Sequence, residues 1–150
     1  KYNLVDTDDM IVEQEGITIN EIFDKCGEEY FRKTECEVIK KAAEKKNVVI
    51  ATGGGVVLNE QNIENLRKTG VIFNLSPDFS VIRERLEEAR KTRPLLKRDS
   101  IENIKKRFDD RKPFYDNCDY KIKVIHGRTP RSYAMEILEI MESSQGAEKQ

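Results

Sequence analysis

The chain has 150 residues, which is enough for one domain with a substantial core. Charged residues make up 37% of it, but 27 Lys and Arg against 28 Asp and Glu leave a net charge of −1, which argues against a nucleic-acid binder that depends on bulk positive charge. No apolar run approaches the roughly 18 residues of a membrane span and no signal peptide opens the chain, so we expect a cytoplasmic protein.

Helical and strand patterns alternate along the first half of the chain. In order, they predict a strand at Leu4–Val5, a helix that ends at Gly16, a short helix capped by Thr18 and Glu21 that ends near Gly27, a helix over 28–46 and a strand at Val48–Thr52. The helix over 28–46 carries one stripe at a spacing of three to four residues, formed by Phe31, Thr34, Val38 and Ala42.

The second half continues the alternation. It predicts a helix from Asn59 to Gly70, a strand at Val71–Leu75, a helix begun by Ser76-Pro77 with an apolar stripe, a basic stretch to Asp99, a helix from Ser100 to Tyr115, a strand at Tyr120–Ile125 and a helix from Thr129-Pro130 to Met141. Residues 143–150 have nothing to bury, so we expect a disordered tail.

Apolar strands that alternate with helices indicate an α/β fold with a parallel sheet sandwiched by helices. In such sheets, ligands bind at the carboxyl ends of the strands. Asp6 and Gly53 each follow a predicted strand, so we expect a binding site at that edge.

Asp6 and Asp8 stand two residues apart at the end of a strand. On an extended backbone they would point the same way, where they could hold Mg²⁺ or accept a proton from a substrate hydroxyl. The alternative is that one of them caps the following helix.

Three consecutive glycines, Gly53-Gly54-Gly55, follow the strand at Val48–Thr52. Three glycines cost more chain entropy than a tight turn requires, which favours a surface where a ligand lies almost against the backbone. The run is neither a Walker A sequence nor the dinucleotide pattern GxGxxG, so it indicates a site without naming its ligand.

Several arginines are candidates for contact with an anion. Arg32 could bind a ligand carboxylate in a bidentate manner, with Glu35 orienting its guanidinium. Alternatively, Arg32 could form an exposed ion pair on the helix. Arg93 lies in RKTRPLL, a basic loop whose two leucines indicate a lid that closes over a ligand. Arg111 ends a helix, where a cation is favourable in any case, and the single histidine, His126, is expected at the surface.

Taken together, these features resemble shikimate kinase, a P-loop kinase of the nucleoside-monophosphate-kinase type. The motifs that resemble that family cover nearly the whole chain and are VDTDDMI, the capping-box helix, EYFRKTE, ATGGGVV, TRPLL and RKPFY. TGGG together with RPLL at this separation is the most specific of them. The resemblance implies ATP-dependent phosphorylation of shikimate to shikimate 3-phosphate, with ATP and Mg²⁺ as cofactors.

The resemblance implies a set of residues on the acceptor side. Asp8 would bind shikimate hydroxyls and act as the base, and Asp6 would help to hold Mg²⁺. Arg32 and Arg111 would bind the shikimate carboxylate. The floor of that pocket would be formed by Gly53, Gly54 and Gly55.

On the nucleotide side, the resemblance places Arg93 in a lid of about residues 90–99, from which it would reach the transferring phosphate. Arg85 and Arg128 are similar to positions near the adenine, although the spacing varies there.

The phosphate cradle of the family, GxxxxGK[ST], does not occur in the 150 residues. We therefore expect residues 1–142 to form the kinase core without its first, central strand, its P-loop and its first helix. On this hypothesis the chain is N-terminally incomplete and is inactive alone.

Two other functions stay open at this point. The chain could be a non-catalytic shikimate-binding module, or a kinase of another small hydroxy acid such as gluconate. In each case the expected partner is a small molecule, with no nucleic acid and no membrane, and the resemblance implies a monomer.

Overall fold

A computed structural model of the chain describes residues 2–92 and 99–147. Its elements are β1 (Asn3–Asp6), α1 (Thr7–Glu15), α2 (Ile19–Ala43), β2 (Val48–Ala51), a 3₁₀ turn (Val56–Leu58), α3 (Glu60–Arg67), β3 (Phe73–Pro77), α4 (Phe79–Thr92), α5 (Ile101–Tyr115), β4 (Tyr120–Val124) and α6 (Pro130–Ala147). The described residues up to Ile72 form one compact unit, and those from Phe73 onward form a second. Within the described ranges, no helix is both long and apolar enough to cross a membrane.

The sheet of the first unit consists of β1 and β2 in parallel. Asn3 pairs with Val48 and Asp6 pairs with Ala51, so the two strands end at the same edge. The sequence prediction of an α/β fold with parallel strands is confirmed, and the residues after Asp6 and Ala51 lie next to each other.

Local signals in the sequence account for the helix ends of the first unit. Gly16 ends α1 in the left-handed conformation, with φ of 70°. Thr18 and Glu21 form the predicted capping box at the start of α2. Gly27 has φ of 81° and ψ of 174°, so it breaks α2 where the sequence predicted the boundary between two helices.

The core of the first unit lies between α1 and the two halves of α2. Ile11, Ile22, Phe31 and Val38 form one buried cluster. The stripe predicted from the sequence is buried along its whole length, since Phe31, Thr34, Val38 and Ala42 are each at most 5% exposed. This packing fixes the face of α2 and therefore the direction in which its polar residues point.

Two apolar side chains of the sheet in the first unit remain largely in water. Leu4 is 74% exposed and Val49 is 55% exposed, and the two residues are partners in the register of β1 and β2. In the part of the chain that the structure describes, β2 pairs only with β1.

The second unit has its own parallel pair, β3 with β4, and its own core. Val81, Ile122, Val124 and Tyr133 form that core, with Phe73, Ile137 and Ile140 packed against it. The predicted caps of its helices are present: the Asn103 amide donates to the Ser100 hydroxyl at 3.1 Å, and the Ser132 amide donates to the Thr129 hydroxyl at 3.2 Å.

The predicted start of α4 is wrong. Ser76 and Pro77 belong to β3, where they pair with Lys123 and Val124, and the helix begins at Phe79. Pro77 is the last residue of the strand, a position at which its missing N–H does not interrupt the ladder.

The predicted end of the last helix is also wrong, because α6 continues to Ala147. The helix therefore includes residues 143–147, which the sequence assigned to a disordered tail. Ser143 and Ser144 donate their hydroxyl protons to the carbonyls of Glu139 and Ile140, at 2.8 and 2.9 Å, so these polar side chains are satisfied within the helix.

The capping box should make stability depend on pH. The pKa of Glu21 is lowered from 4.5 to about 2, mainly because its carboxylate accepts hydrogen bonds from the amide and hydroxyl of Thr18, and then through Lys25. A group whose pKa is lower in the folded state stabilises the fold above pH 4.5, and this contribution is lost as the pH falls towards 2. Glu21→Gln should therefore lower the free energy of unfolding at neutral pH, with a difference from wild type that shrinks over this interval.

Urea denaturation between pH 2 and 7 measures this difference. Lys25→Ala is the matched control, because it removes the cation but leaves both hydrogen bonds from Thr18. The Lys25→Ala variant should keep most of the pH dependence of the free energy of unfolding. If both variants lose this pH dependence equally, the assignment to the capping box is contradicted.

Candidate active site

Asp6 and Asp8 lie at the junction of β1 and α1, at the carboxyl end of the sheet. The Asp6 carboxylate caps α1, accepting from the amides of Asp8 at 2.8 Å and Asp9 at 3.4 Å. The expectation that Asp6 and Asp8 extend from one strand in the same direction is wrong, since Asp8 already belongs to the helix. The alternative, in which one aspartate is a cap, holds for Asp6.

The environment of Asp8 disfavours its charge. The pKa of Asp8 is raised above 3.8, first because the carboxyl is partly buried and then because Asp6 and Asp9 are negatively charged. Asp6, Asp8 and Asp9 place three carboxylates within four positions at the start of α1. A bound cation or a shared proton would reduce the repulsion between them.

Arg32 and Glu35 form an ion pair on α2, one turn apart. Arg32 Nη1 donates to Glu35 Oε2 at 2.8 Å, and Arg32 Nη2 lies 3.4 Å from Glu28 Oε1. The Glu35 side chain is 3% exposed and that of Arg32 is 28% exposed, so the guanidinium stands between a buried carboxylate and solvent. Glu35 therefore orients Arg32, as the sequence suggested. The alternative, an exposed ion pair on the helix, does not apply, because the Glu35 side chain is buried.

The glycine turn lies directly against these side chains. A Cβ added to Gly55 would lie 2.2 Å from Arg32 Nη1, and one added to Gly53 would lie 3.3 Å from Asp8 Oδ1 and 3.7 Å from Glu35 Oε1. The absence of side chains at Gly53 and Gly55 is thus what admits the guanidinium and both carboxylates. We call Asp8, Arg32, Glu35 and the turn Gly53–Gly55 the acceptor cluster.

Comparison with known proteins identifies the family. A family model described as shikimate kinase matches residues 1–142. The chain belongs to the shikimate kinase family. The shikimate kinase of Caldanaerobacter subterraneus subsp. tengcongensis is 47% identical over 124 residues, which are 82% of this chain and 72% of that protein.

Two further similarities extend along most of the chain. The shikimate kinase of Thermodesulfovibrio yellowstonii is 43% identical over 142 residues, which are 94% of this chain and 81% of that protein. The structure of Acinetobacter baumannii shikimate kinase in complex with shikimate matches with a TM-score of 0.83 at 30% identity, over 95% of this chain and 80% of that one. The family resemblance found in the sequence is confirmed.

The second unit contains a cavity that is lined by two other predicted site residues. Arg85 and Arg128 both line an open cavity of about 400 Å³. The other residues that line it are Val81, Glu84, Glu88, Ile125, His126 and Gly127. His126 is at the surface, as expected, and its Nδ1 lies 2.8 Å from Glu84 Oε2.

Arg128 is held by contacts that the sequence did not reveal. Its Nη1 lies 2.8 Å from Glu136 Oε2, and its guanidinium carbon lies 4.4 Å from the centroid of the Tyr133 ring. Tyr133 in turn donates its hydroxyl proton to the Ile125 carbonyl at 3.1 Å and accepts from the Ile125 amide at 2.9 Å. One face of the guanidinium is therefore stacked on Tyr133.

Two of the predicted site residues remain, Arg111 and Arg93. Arg111 is half-buried on α5, in the last turns of that helix, as the sequence predicted. Arg93 and most of the predicted lid lie outside the described residues.

The carboxylate of Asp6 is compatible with the magnesium ion that the family resemblance implies. Among the described residues, no group of three or more His, Cys, Asp or Glu side chains could enclose a metal. Mg²⁺ in kinases is held by one or two carboxylates, with water and substrate phosphates as its other ligands. Asp6 supplies one such carboxylate at this edge, where its Oδ1 also caps α1.

One residue near the turn was missed by the sequence analysis. Asn62 on α3 is 0% exposed, and its Nδ2 donates to the carbonyl of Val56 at 3.2 Å. The available signal was weak: a polar residue that stands beside Ile63 on the buried side of a short helix.

Gly55→Ala should lower the free energy of unfolding by about 2–3 kcal/mol, because the new methyl group must displace Arg32 from Glu35 and leave a buried carboxylate without its arginine. Thermal or urea denaturation measures the loss. If Gly55→Ala acts through Arg32, the same change made in an Arg32→Met background should cost much less. Equal costs in the two backgrounds would show that the methyl group acts on something other than the guanidinium.

Proposed function

We propose that this chain provides the shikimate-binding side of an ATP-dependent shikimate kinase, which converts shikimate to shikimate 3-phosphate. The observation that carries the proposal is the acceptor cluster: a partly buried carboxylate and an oriented guanidinium converge on a bare glycine backbone at the carboxyl edge of the sheet. Membership of the shikimate kinase family supports the same function.

Arg32 is suited to bind the carboxylate of the substrate. Its Nη1 is engaged by Glu35 while 28% of its side chain remains accessible, so the planar fork is oriented before any ligand arrives. A pre-oriented guanidinium loses little conformational entropy on binding and favours a planar anion. Gly55 keeps the surface beside the guanidinium free of side chains, so a small polar ring can lie against the backbone.

Asp8 is suited to hold the hydroxyl that is phosphorylated. It lies within 4 Å of the Cβ position of Gly53, and its raised pKa makes it a better proton acceptor than an ordinary aspartate. Phosphoryl transfer depends mainly on the position of the nucleophile and on neutralisation of the phosphate charge. Asp8 would position the nucleophilic hydroxyl by accepting its hydrogen bond and would then accept its proton.

The nucleotide side involves residues of the second unit and a metal. Arg85 and Arg128 share one cavity, which supports their assignment to the neighbourhood of the adenine. Asp6 would help to hold Mg²⁺, which neutralises phosphate charge when it is bound. The roles of Arg93 and Arg111 stay predictions from the resemblance, as do the monomeric state and the cytoplasmic location.

We also propose that the 150 residues alone do not turn over ATP. The amides and lysine of GxxxxGK[ST], which hold the phosphates in P-loop kinases, are not among them.

The experiment that tests this function is shikimate-dependent ADP release with Mg²⁺ and ATP. It is run on the 150-residue chain and on the same chain preceded by a strand–P-loop–helix unit. Turnover by the extended form alone would support both proposals, and turnover by the 150-residue chain would overturn the second. Gluconate in place of shikimate separates the related kinases, and binding of shikimate without turnover by either form would indicate a binding module.

Asp8→Asn should reduce kcat of the active form by about 10²–10⁴-fold, because the amide cannot accept the proton of the substrate hydroxyl. In the unmodified enzyme, kcat/KM should fall as the pH falls through the raised pKa of Asp8, since the protonated carboxyl is inactive as a base. Steady-state assays at a series of pH values measure kcat of the variant and kcat/KM of the unmodified enzyme. An Asp8→Asn enzyme with unreduced kcat would remove Asp8 from the proposed role.

Arg32→Lys should raise KM for shikimate by about tenfold or more and leave KM for ATP unchanged, because lysine keeps the charge but loses the bidentate fork. Steady-state kinetics with each substrate varied in turn give the two constants. Lys33→Ala, at an exposed position next to Arg32 in the chain, is the matched control and should change neither constant. A similar rise in both constants would point to general damage to the fold.

A further inference from the structure

Asn62 connects the helix α3 to the glycine turn through a buried hydrogen bond. Its Nδ2 donates to the carbonyl oxygen of Val56, the residue that directly follows Gly55. The same carbonyl accepts a weaker bond from the Asn59 amide, at 3.4 Å. The Asn62 side chain and the backbone of Asn59, the residue that caps α3, therefore hold one atom at the end of the turn.

Backbone hydrogen bonds also hold the turn to the residues that follow it. The Val56 amide donates to the Gly53 carbonyl at 3.3 Å, and the Leu58 amide donates to the Gly55 carbonyl at 3.1 Å. Glycines have the greatest backbone freedom of all residues, so each further bond that reaches this turn restricts it appreciably. Asn62 provides such a restraint from the protein interior.

The burial of Asn62 has a cost that packing alone does not explain. The residue is 0% exposed, and within the described residues its Oδ1 has no hydrogen-bond partner. A leucine has nearly the same size and shape and would avoid an unsatisfied buried acceptor. An asparagine at this position is accounted for by what its Nδ2 does for the turn.

We propose that Asn62 is a positioning residue for the acceptor cluster, an inference that rests on the function proposed above. It holds Val56 and thereby Gly55, the backbone against which the Arg32 guanidinium lies. Because an added Cβ at Gly55 would already overlap Arg32, a small displacement of the turn changes the space that is available to the guanidinium and its bound carboxylate. Asn62 acts through this backbone and touches no substrate.

The test is Asn62→Leu, compared with Ile63→Ala as the control. Ile63 is the next residue on α3 and is 4% exposed, so its truncation weakens the same helix while Asn62 keeps its bond to Val56. We expect Asn62→Leu to weaken shikimate binding by about tenfold, because a turn released from α3 no longer holds its place beside the Arg32 guanidinium, and KM for ATP should stay unchanged. Its melting temperature should fall less than that of Ile63→Ala, because leucine removes the unsatisfied acceptor.

Amide hydrogen exchange by NMR gives a second measurement that needs no ligand. In Asn62→Leu the Val56 and Leu58 amides should exchange about tenfold faster relative to the Ile22 amide in the core, and in Ile63→Ala this ratio should stay at the unmodified value. An unchanged ratio in Asn62→Leu overturns the inference, as does unchanged shikimate affinity. If the unmodified protein binds no shikimate, the proposed function fails, while the exchange ratio still decides whether Asn62 restrains the turn.

Discussion

The ion pair between Arg32 and Glu35 is the interaction on which the acceptor cluster depends. A carboxylate that is almost fully buried is tolerated only with a charged partner and satisfied hydrogen bonds, and Arg32 provides the partner. The arginine in turn needs a surface without side chains on its other side, and Gly55 provides that surface. The helix, the ion pair and the turn are therefore one arrangement, in which each part limits what the others can be.

The parallel pairing of β1 with β2 places this arrangement at one edge. Because Asp6 pairs with Ala51, the first turn of α1 and the glycine turn leave the sheet side by side, although some 45 residues separate them in the chain. A slip of the register by one residue would reverse the faces of all the side chains in one strand and separate Asp8 from Gly53. The break at Gly27 then lets the second half of α2 pack against the core in its own direction, with Arg32 and Glu35 on the side of the turn.

The sequence predicted best the features that local chemistry determines. The left-handed glycine at Gly16, the capping box at Thr18 and the helix break at Gly27 all depend on residues a few positions apart, and all are present. Ser76-Pro77 carries an equally good local signal for a helix start, yet pairing with β4 overrides it. Local chemistry thus predicts an element well only where no distant strand competes for the same backbone.

The contacts between distant segments could not be predicted in this way. The Asp8 and Glu35 carboxylates both approach Gly53 because of tertiary packing, and no spacing in the sequence encodes that distance. The same is true of Asn62 beneath the glycine turn and of Glu136 and Tyr133 around Arg128. The family resemblance suggested the ligand-binding residues, and the spacing to Arg32 suggested Glu35, whereas Asn62, Glu136 and Tyr133 had no motif to identify them.

The exposed pair Leu4 and Val49 has a consequence for the behaviour of the 150-residue chain in solution. Adjacent apolar side chains on a strand pair, beside a strand edge that has no partner within the described residues, form an adhesive surface for another extended segment. Such a surface favours association between copies of the 150-residue chain at high concentration.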